Sequence, residues 1–125
     1  MSTAEKILII TGDAGESYET LYASHRLEEA GYIPVIAAPA VKRLNLVMHD
    51  FEPGWDTYVE RKGYQVESDI SFENVNAADY KAVLIIGGRA PEYLRNNELV
   101  IKIVTGKTWQ SHPQFYKIVF SCLEA

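Results

Sequence analysis

The stretch that best predicts the fold is Ala82-Val-Leu-Ile-Ile-Gly-Gly-Arg-Ala-Pro91. Its apolar run suits a strand that is buried on both faces, as strands are in a parallel sheet. The pair Gly87-Gly88 ends the run abruptly and permits a sharp turn with exposed backbone N–H groups. Pro91 then begins a helical region that we expect to extend to about Val104. The order of strand, turn and helix indicates an α/β protein.

Two further apolar runs, Lys6 to Thr11 and Ile33 to Ala38, also predict buried strands. A helix between them is indicated by small and apolar residues that recur every three or four positions on one stripe. The stripe consists of Thr20, Ala23, Leu27 and Ala30. Gly31 is placed to end this helix. The two strands and the helix form one βαβ unit, which is right-handed by default.

The segment from Thr11 to Glu19 follows the first strand and carries two glycines and three acids. Ligands bind beyond the carboxyl ends of strands in open parallel sheets, so this segment and the turn from Gly87 to Pro91 predict one site. The Gly-Gly pair either forms an oxyanion hole with its N–H groups or is only a tight turn. Glu19 is either a proton donor, if it is buried, or one of the acids that helix first turns favour.

The start of the first helix has two alternative caps. Asp13 and Glu16 have the three-residue spacing of a capping box, and Ser17 is a rival cap. Further along, Leu44 to Met48 and Tyr64 to Glu67 predict the strands of a flanking hairpin. Its connection contains Pro53-Gly54.

Two shorter helical segments are predicted from the remaining sequence. Ser71 to Asn74 suggests a brief helix that packs Phe72 and Val75. Ser111 to Gln114 has capping-box spacing and opens a last helix. Before it, Val104 runs into Thr105 without the turn and strand that an α/β rhythm demands.

Composition and charge restrict the classes of function. The chain has 125 residues, 47% of them hydrophobic and 23% charged, which fits one globular domain. Its net charge of −5, without a basic run, argues against nucleic acid as a partner. The apolar runs are too short to span a membrane, and no signal peptide is visible. A single cysteine, Cys122, excludes an internal disulfide, so the cytoplasm is the expected location.

Several short motifs resemble cofactor or metal sites but lack residues that such sites need. Gly106-Lys-Thr108 resembles the end of a phosphate loop, but Ile101 stands where that loop needs a glycine. The segment from Gly12 to Gly15 lacks the third glycine of a dinucleotide fingerprint. Metal-ligand spacing is absent from the three histidines, His25, His49 and His112. We therefore expect neither a cofactor nor a metal, and we expect Cys122 to be a small buried side chain.

Four stretches resemble the PfpI/ThiJ family of the class I glutamine-amidotransferase-like superfamily. They are Ile7-Leu-Ile-Ile-Thr-Gly-Asp13, Glu16-Ser-Tyr-Glu19, His25-Arg-Leu-Glu-Glu-Ala-Gly31 and Val83-Leu-Ile-Ile-Gly-Gly-Arg-Ala-Pro-Glu-Tyr-Leu94. The resemblance covers residues 5 to 104 and resumes from Val104 to Phe115. It implies a flavodoxin-like three-layer α/β sandwich with a mostly parallel sheet. The chain is then a single domain over residues 1–125, with 1–104 as its N-terminal part and 105–125 as its last strand and helix.

The resemblance also implies that part of the family fold is missing at about Val104 and Thr105. Family members carry several dozen further residues there, including a strand, a sharp elbow with the nucleophilic cysteine and its histidine, and a helix. This chain has no counterpart of that elbow, so the sandwich is internally incomplete. Cys122 falls in the family's final helix and does not replace the nucleophile. His112 and Pro113 resemble the His-Pro-Glu of glutaminases, but Gln114 replaces the acid.

The family implies a role for each matching residue of the site. Glu19 matches the glutamate that shares a proton with the nucleophilic cysteine, and Glu16 matches a second acidic neighbour. Gly88 matches the glycine whose N–H helps to form the oxyanion hole. Arg89 matches an arginine at the mouth of the pocket. The activity that follows is cofactor-independent carbonyl or acyl chemistry of the glyoxalase, deglycase or intracellular peptidase type, in a homo-oligomer.

Three hypotheses follow for the function. The 125 residues are part of a longer, active enzyme, or they form a non-catalytic binding or vestigial module that survives by dimerising through exposed sheet or helix faces. The third and weaker hypothesis is a flavodoxin-like binder of nucleotide or flavin at the strand ends. As written, the chain is expected to be inactive, because the Cys-His elbow is missing. A complete site would take a small carbonyl or acyl substrate or a peptide.

Overall fold

The computed structural model of the chain describes residues 4–105. A four-stranded parallel sheet lies at its centre, with strands β1 (Lys6–Ile10), β2 (Ile33–Ala38), β5 (Ile70–Ser71) and β6 (Ala82–Ile85). Their order in the sheet is β5-β2-β1-β6. A separate antiparallel pair is formed by β3 (Arg43–Asp50) and β4 (Val59–Glu67). The helices are α1 (Ser17–Glu29), α2 (Ala90–Leu94) and α3 (residues 98–105).

The central strands are buried because both faces of the sheet are covered. On one face, alternate strand residues such as Ile7 and Ile9 pack with α1 and with β3. On the other face, Leu8 and Ile10 pack with Phe72, α2 and α3. The alternation of side chains along each strand divides the apolar residues between these two cores. The predicted α/β fold with three layers and a parallel sheet is therefore confirmed, and it is flavodoxin-like.

Helix α1 begins and ends through specific caps. Glu16 is its N-cap, since the Glu16 carboxylate accepts the Glu19 N–H at 2.7 Å. Of the alternatives in the sequence, neither Ser17 nor a box with Asp13 supplies the cap, and Ser17 instead accepts the Tyr64 N–H. At the other end, Gly31 has a φ of +91° and allows a Schellman closure, as predicted. Ala30 is exposed, which corrects its placement on the buried stripe.

The hairpin of β3 and β4 is longer than the sequence indicated. Its strands pair from Arg43 with Glu67 to Asp50 with Val59, and Pro53-Gly54 lies in the connection as predicted. Most of β4 is exposed on both faces, so its polar side chains gave no alternating apolar signal. The hairpin is joined to the main body by backbone bonds from Val47 N–H to Gly15 and from Ala14 N–H to Asn45.

The helical region after β6 is divided, which corrects the single helix expected up to Val104. Helix α2 ends at Leu94, and Asn97 then caps α3 by accepting the N–H groups of Leu99 and Val100. The new cap begins a second helix because its side chain satisfies first-turn N–H groups. Helix α3 continues through residue 105, so no turn separates Val104 from Thr105.

The remaining predictions on the last part of the chain, including the final strand, the final helix and Cys122, lie outside the described residues. The brief helix at Phe72–Asn74 is confirmed as a single 3-10 turn. A similar turn at Ala77–Asp79 was not predicted from the sequence.

Candidate functional site

Two turns meet at the carboxyl ends of β1 and β6, as the sequence predicted. The Glu16 N–H donates to the Gly87 carbonyl at 3.0 Å, and the Arg89 N–H donates to the Ala14 carbonyl at 2.9 Å. Gly15 and Gly88 lie opposite each other between these bonds. In the sheet, β2 and β6 lie on opposite sides of β1, so the strand order reverses direction at β1. The carboxyl ends of strands at such a switch point are where α/β sheets bind ligands.

Gly88 is required by its backbone and by its neighbours. Its φ is +90°, in the left-handed region that favours glycine. A Cβ atom at Gly88 would lie 2.6 Å from both the Ala14 carbonyl oxygen and the Glu16 nitrogen. The two turns therefore lie too close together at Gly88 for a side chain, so this glycine is needed for their contact as well as for the bend.

The Glu19 carboxylate is held at the Gly87–Gly88 turn. Its Oε1 accepts the Gly87 N–H at 2.8 Å, across 68 positions of the sequence. A Cβ atom at Gly87 would lie 2.7 Å from the same oxygen, so glycine leaves room for this contact. Glu19 is exposed among the described residues, so the burial that one of its two alternative roles required is not observed there. The structure places the Glu19 carboxylate on Gly87, the residue next to Gly88.

The Gly88 N–H points away from the junction of the two turns. Gly15 and Gly88 form a pair without hydrogen bonds of its own, because the two bonds between the turns join Glu16 to Gly87 and Arg89 to Ala14. In such a pair, the N–H and C=O groups of Gly88 both face outward. Among residues 4–105, no group accepts a hydrogen bond from the Gly88 N–H. A free N–H therefore lies next to the N–H that Glu19 occupies, which is the kind of donor that an oxyanion hole uses.

Glu16 has a structural task at this site. It is buried, with 6% of its surface exposed, and its carboxylate caps α1 at the N–H of Glu19 itself. Glu16 thus orients the first turn of α1, which carries Glu19. The resemblance matched Glu16 to a second acidic residue near the nucleophile. In this structure, the Glu16 carboxylate accepts a hydrogen bond from the first turn of α1.

Arg89 lies at the edge of the site and is paired with the hairpin. Its guanidinium donates to the carboxylate of Glu60 on β4 at 2.8 Å. The hydrogen bond from Arg89 holds the pKa of Glu60 below its usual value, and the same pair raises the pKa of Arg89. Arg89 also borders two grooves with volumes of about 430 Å³ and 400 Å³, and neither groove is lined by Glu19 or Gly88. No spacing in the sequence marks Glu60, because its partner Arg89 is 29 positions away in the chain.

Asp13 fixes the loop between β1 and α1. Its carboxylate accepts the Asn45 N–H at 2.9 Å and pairs with Lys42, and these contacts hold its pKa below the usual value. The Tyr93 hydroxyl donates to the Asp13 carbonyl at 2.7 Å, and burial raises the pKa of Tyr93. Asp13 was predicted as a helix cap, whereas it anchors the loop to the hairpin. Lys42, Asn45 and Tyr93 were not identified from the sequence.

A third groove, of about 470 Å³, lies between α1 and the hairpin. Tyr18 and Tyr22 stack along one wall, and His49 lines the other wall and stacks on Tyr58 with ring centres 4.1 Å apart. His25 is exposed on α1, and His112 is outside the described residues.

Within residues 4–105, no helix combines the length and the apolar character needed to cross a membrane.

Comparisons with known proteins place the chain in a family. The DJ-1/PfpI family matches residues 5–115. A deglycase of Pyrococcus horikoshii is 36% identical over 98 residues, which cover 78% of this chain and 51% of the relative. The deglycase PfpI of Pyrococcus furiosus gives the same identity and coverage. The DJ-1 homolog D of Arabidopsis thaliana is 37% identical over 103 residues, covering 80% of this chain and 26% of the relative.

Solved structures show the same fold at lower identity. Oxidized DJ-1 of Toxoplasma gondii superimposes with a TM-score of 0.67 at 19% identity, covering 86% of this chain and 52% of the other. A two-domain protein of Anabaena variabilis with a DJ-1/ThiJ/PfpI-like domain gives 0.66 at 21% identity, covering 85% and 27%. The chain spans about half the length of the archaeal deglycases it matches. On the family match over residues 5–115, the chain belongs to the DJ-1/PfpI family.

Proposed function

We propose that Glu19 and the Gly87–Gly88 turn form the acid and oxyanion half of a deglycase-type site for small carbonyl or acyl compounds. One observation carries the proposal: Glu19 occupies the Gly87 N–H at 2.8 Å, while no acceptor within residues 4–105 pairs with the neighbouring Gly88 N–H. The names of the archaeal relatives support the deglycase type of reaction.

The chemistry requires a thiolate between these two groups. A thiolate attacks a carbonyl carbon, and the carbonyl oxygen gains negative charge as the new bond forms. The Gly88 N–H is available to stabilise that charge, a contribution worth about 10²–10³ in kcat for one donor. Glu19 uses Oε1 for Gly87, so its Oε2 is left to share a proton with the thiol. None of these steps needs a cofactor.

The nucleophile is the part of the proposal that the described residues do not supply. The chain has one cysteine, Cys122, and it follows the described residues. We therefore propose that the 125-residue chain alone does not turn over such substrates and that activity needs the elbow segment that the family carries. The alternative is that this chain is a non-catalytic binding module. The experiment below distinguishes that module from part of an active enzyme.

A chimera tests the proposal. The elbow segment of the Pyrococcus horikoshii deglycase is inserted between Val104 and Thr105, and methylglyoxal turnover is measured for the chimera and for the unmodified chain. We expect turnover in the chimera alone, and we expect Glu19→Ala to abolish it. Glu29→Ala, which removes an exposed acid at the other end of α1, is the matched control and leaves turnover unchanged.

Two results would contradict the proposal. Turnover by the unmodified chain that depends on Glu19 would show that no elbow segment is needed. Turnover by the chimera that is indifferent to Glu19→Ala would show that this carboxylate has no part in the reaction.

A further inference from the structure

One side of strand β6 has no neighbouring strand among residues 4–105, and its other side pairs with β1. The Ile86 N–H donates to the Ile10 carbonyl at 3.1 Å, which fixes the direction of the backbone groups along the strand. Because these groups alternate in direction, the N–H and C=O groups of Val83 and Ile85 face away from β1. We call this side of the strand the β6 edge.

The side chains of β6 are those of an interior strand. Val83 is fully buried, whereas Ile85, which stands on the same face of the sheet, is 48% exposed. Edge strands are protected by lysine, proline, a bulge or a covering segment, and Ala82–Ile85 has none of the first three. A covering segment is therefore the protection that remains for the β6 edge.

The connections within the sheet indicate where the chain goes after α3. Helix α1 connects β1 to β2 and packs on the face of the sheet that carries Ile7 and Ile9. Helices α2 and α3 follow β6 and pack on the opposite face, with Leu8 and Ile10. Connections between parallel strands are right-handed, so a connection on the opposite face crosses the sheet in the opposite direction. Because β2 and β6 lie on opposite sides of β1, the next parallel strand belongs beside the β6 edge.

The length of α3 suits such a connection. The helix of a crossover runs back along the strands, so that the chain reaches the start of the next parallel strand. Helix α3, over residues 98–105, spans about 12 Å, and the four residues of β6 span about 13 Å. Gly106 comes directly after α3, and glycine is the residue that most often ends a helix.

The sequence after Gly106 has the pattern of one short strand. Lys107-Thr-Trp-Gln110 lies between this glycine and the capping box that begins at Ser111. The segment has four residues, as β6 has, and threonine and tryptophan both favour strands. Lys107 is also a residue of the kind that protects the edge of a sheet, which is the protection that β6 lacks.

We propose that residues 107–110 of the same chain pair with the β6 edge as a fifth parallel strand, β7. Trp109 is the one large apolar residue of this segment, and it would cover the half-exposed side chain of Ile85. The order of the sheet would then be β5-β2-β1-β6-β7. Because β7 would be parallel to β6, it would end beside the Gly87–Gly88 turn. The pairing is independent of the proposed enzymatic function.

The first experiment needs no substitution and uses the full 125-residue chain. Nuclear Overhauser effects between backbone protons are measured in dilute solution. We expect contacts between residues 107–110 and β6 in the pattern of parallel strands. Amide hydrogen exchange is then measured at several concentrations of the chain. We expect slow exchange at Val83 and Ile85 at every concentration, because the covering strand would belong to the same molecule.

The second experiment uses Trp109 as a reporter. The chain has two tryptophans, so Trp55→Phe leaves Trp109 as the only one. In this background, Ile85→Asp places a charge against the indole, and we expect red-shifted emission and stronger quenching by acrylamide. Ile33→Asp is the matched control, because Ile33 is 41% exposed in β2, two strands away from β6. We expect this control to leave the emission of Trp109 unchanged.

Several results would overturn the proposal. Absent contacts between residues 107–110 and β6, or contacts in the antiparallel pattern, would show that this segment does not form β7. Exchange at Val83 and Ile85 that is fast at every concentration would show that the β6 edge is uncovered, and exchange that slows only as the concentration rises would show that a second molecule covers it. Equal emission of Trp109 in Ile85→Asp and Ile33→Asp would show that the indole does not lie on Ile85.

Discussion

Gly88 and Gly54 adopt almost the same backbone conformation in two different surroundings. Their φ angles are +90° and +87°. A Cβ at Gly88 would meet the backbone of Ala14 and Glu16 at 2.6 Å, whereas a Cβ at Gly54 would meet nothing within 4 Å. Gly54 serves only the bend at the tip of the hairpin. Gly88 serves both a bend and the contact between two backbones, and the adjacent Gly87 N–H donates to Glu19.

The largest expected effect comes from Gly88→Ala. The left-handed φ and the backbone clash together predict a loss of about 3 kcal/mol in the free energy of unfolding. Gly54→Ala has the same φ without the clash and predicts a loss of about 1 kcal/mol. Urea unfolding of the two variants measures the difference, which is the contribution of the close contact. Equal losses of stability in the two variants would show that the contact between the two turns at Gly88 does not add to the cost of the substitution.

The second prediction concerns the cap that orients the first turn of α1. Glu16→Ala removes the acceptor of the Glu19 N–H and leaves a buried space, so we expect a loss of about 1–2 kcal/mol. Asn76→Ala removes a cap from the exposed 3-10 turn at Ala77–Asp79, where the bond is 3.2 Å long, and serves as the control with a smaller loss. Denaturant unfolding measures both. A loss in Glu16→Ala no larger than in Asn76→Ala would contradict the proposed role of Glu16.

The third prediction concerns the dependence of stability on pH. The pKa of Asp13 is lowered in the folded chain, so its contribution to stability is complete at neutral pH. It is lost as the pH falls below about 4, the ordinary pKa of an aspartate, towards the folded value. Asp13→Asn removes the Lys42 pair, and because both side chains are half exposed we expect a loss below about 1 kcal/mol at neutral pH. Between neutral and acid pH, the stability of Asp13→Asn falls less than that of the original chain.

This titration has a clear contrary outcome. If Asp13→Asn and the original chain lose stability in parallel from pH 7 to acid pH, Asp13 has the same proton affinity in the folded and unfolded chains. Glu60, whose pKa is also lowered, contributes equally to both curves and does not affect the comparison.

The smallest expected effect is at the Arg89–Glu60 pair. The Arg89 side chain is 57% exposed, so water screens the ion pair and the pair holds the hairpin only weakly. We expect Glu60→Gln to change the free energy of unfolding less than Asp13→Asn does, and added salt to reduce even that change. Urea unfolding at low and high salt measures it. A change as large as that of Gly88→Ala would show that side chains, rather than the glycine contact, hold the site together.

The central sheet was predicted well from the sequence, because a short, continuous apolar run indicates a strand that is buried on both faces. The runs that became β1, β2 and β6 are apolar on both faces, and they end at Thr11, Pro39 and Gly87, respectively. The division between α2 and α3 was missed because the apolar residues before and after Asn97 both have helical spacing, so the Asn97 cap did not stand out in the sequence. The long hairpin was predicted too short, since β4 is largely polar.

The candidate site was predicted in part. Glu19 and Gly88 were assigned through the family resemblance, and the structure brings them together through Gly87. The residues that fix the two turns in place, such as Asn45 and Glu60, come from the hairpin. Such partners are distant in sequence and have no spacing that marks them. The sequence left the burial of Glu19 open, because it depends on which segments cover the site.

The amide hydrogen exchange of two neighbouring glycines tests the central claim most directly. That claim is that Glu19 occupies the Gly87 N–H and leaves the Gly88 N–H free for an oxyanion. We predict slow exchange at Gly87 and fast exchange at Gly88, and we predict that Glu19→Ala accelerates exchange at Gly87 alone. Slow exchange at Gly88, or exchange at Gly87 that is unchanged by Glu19→Ala, would contradict the account.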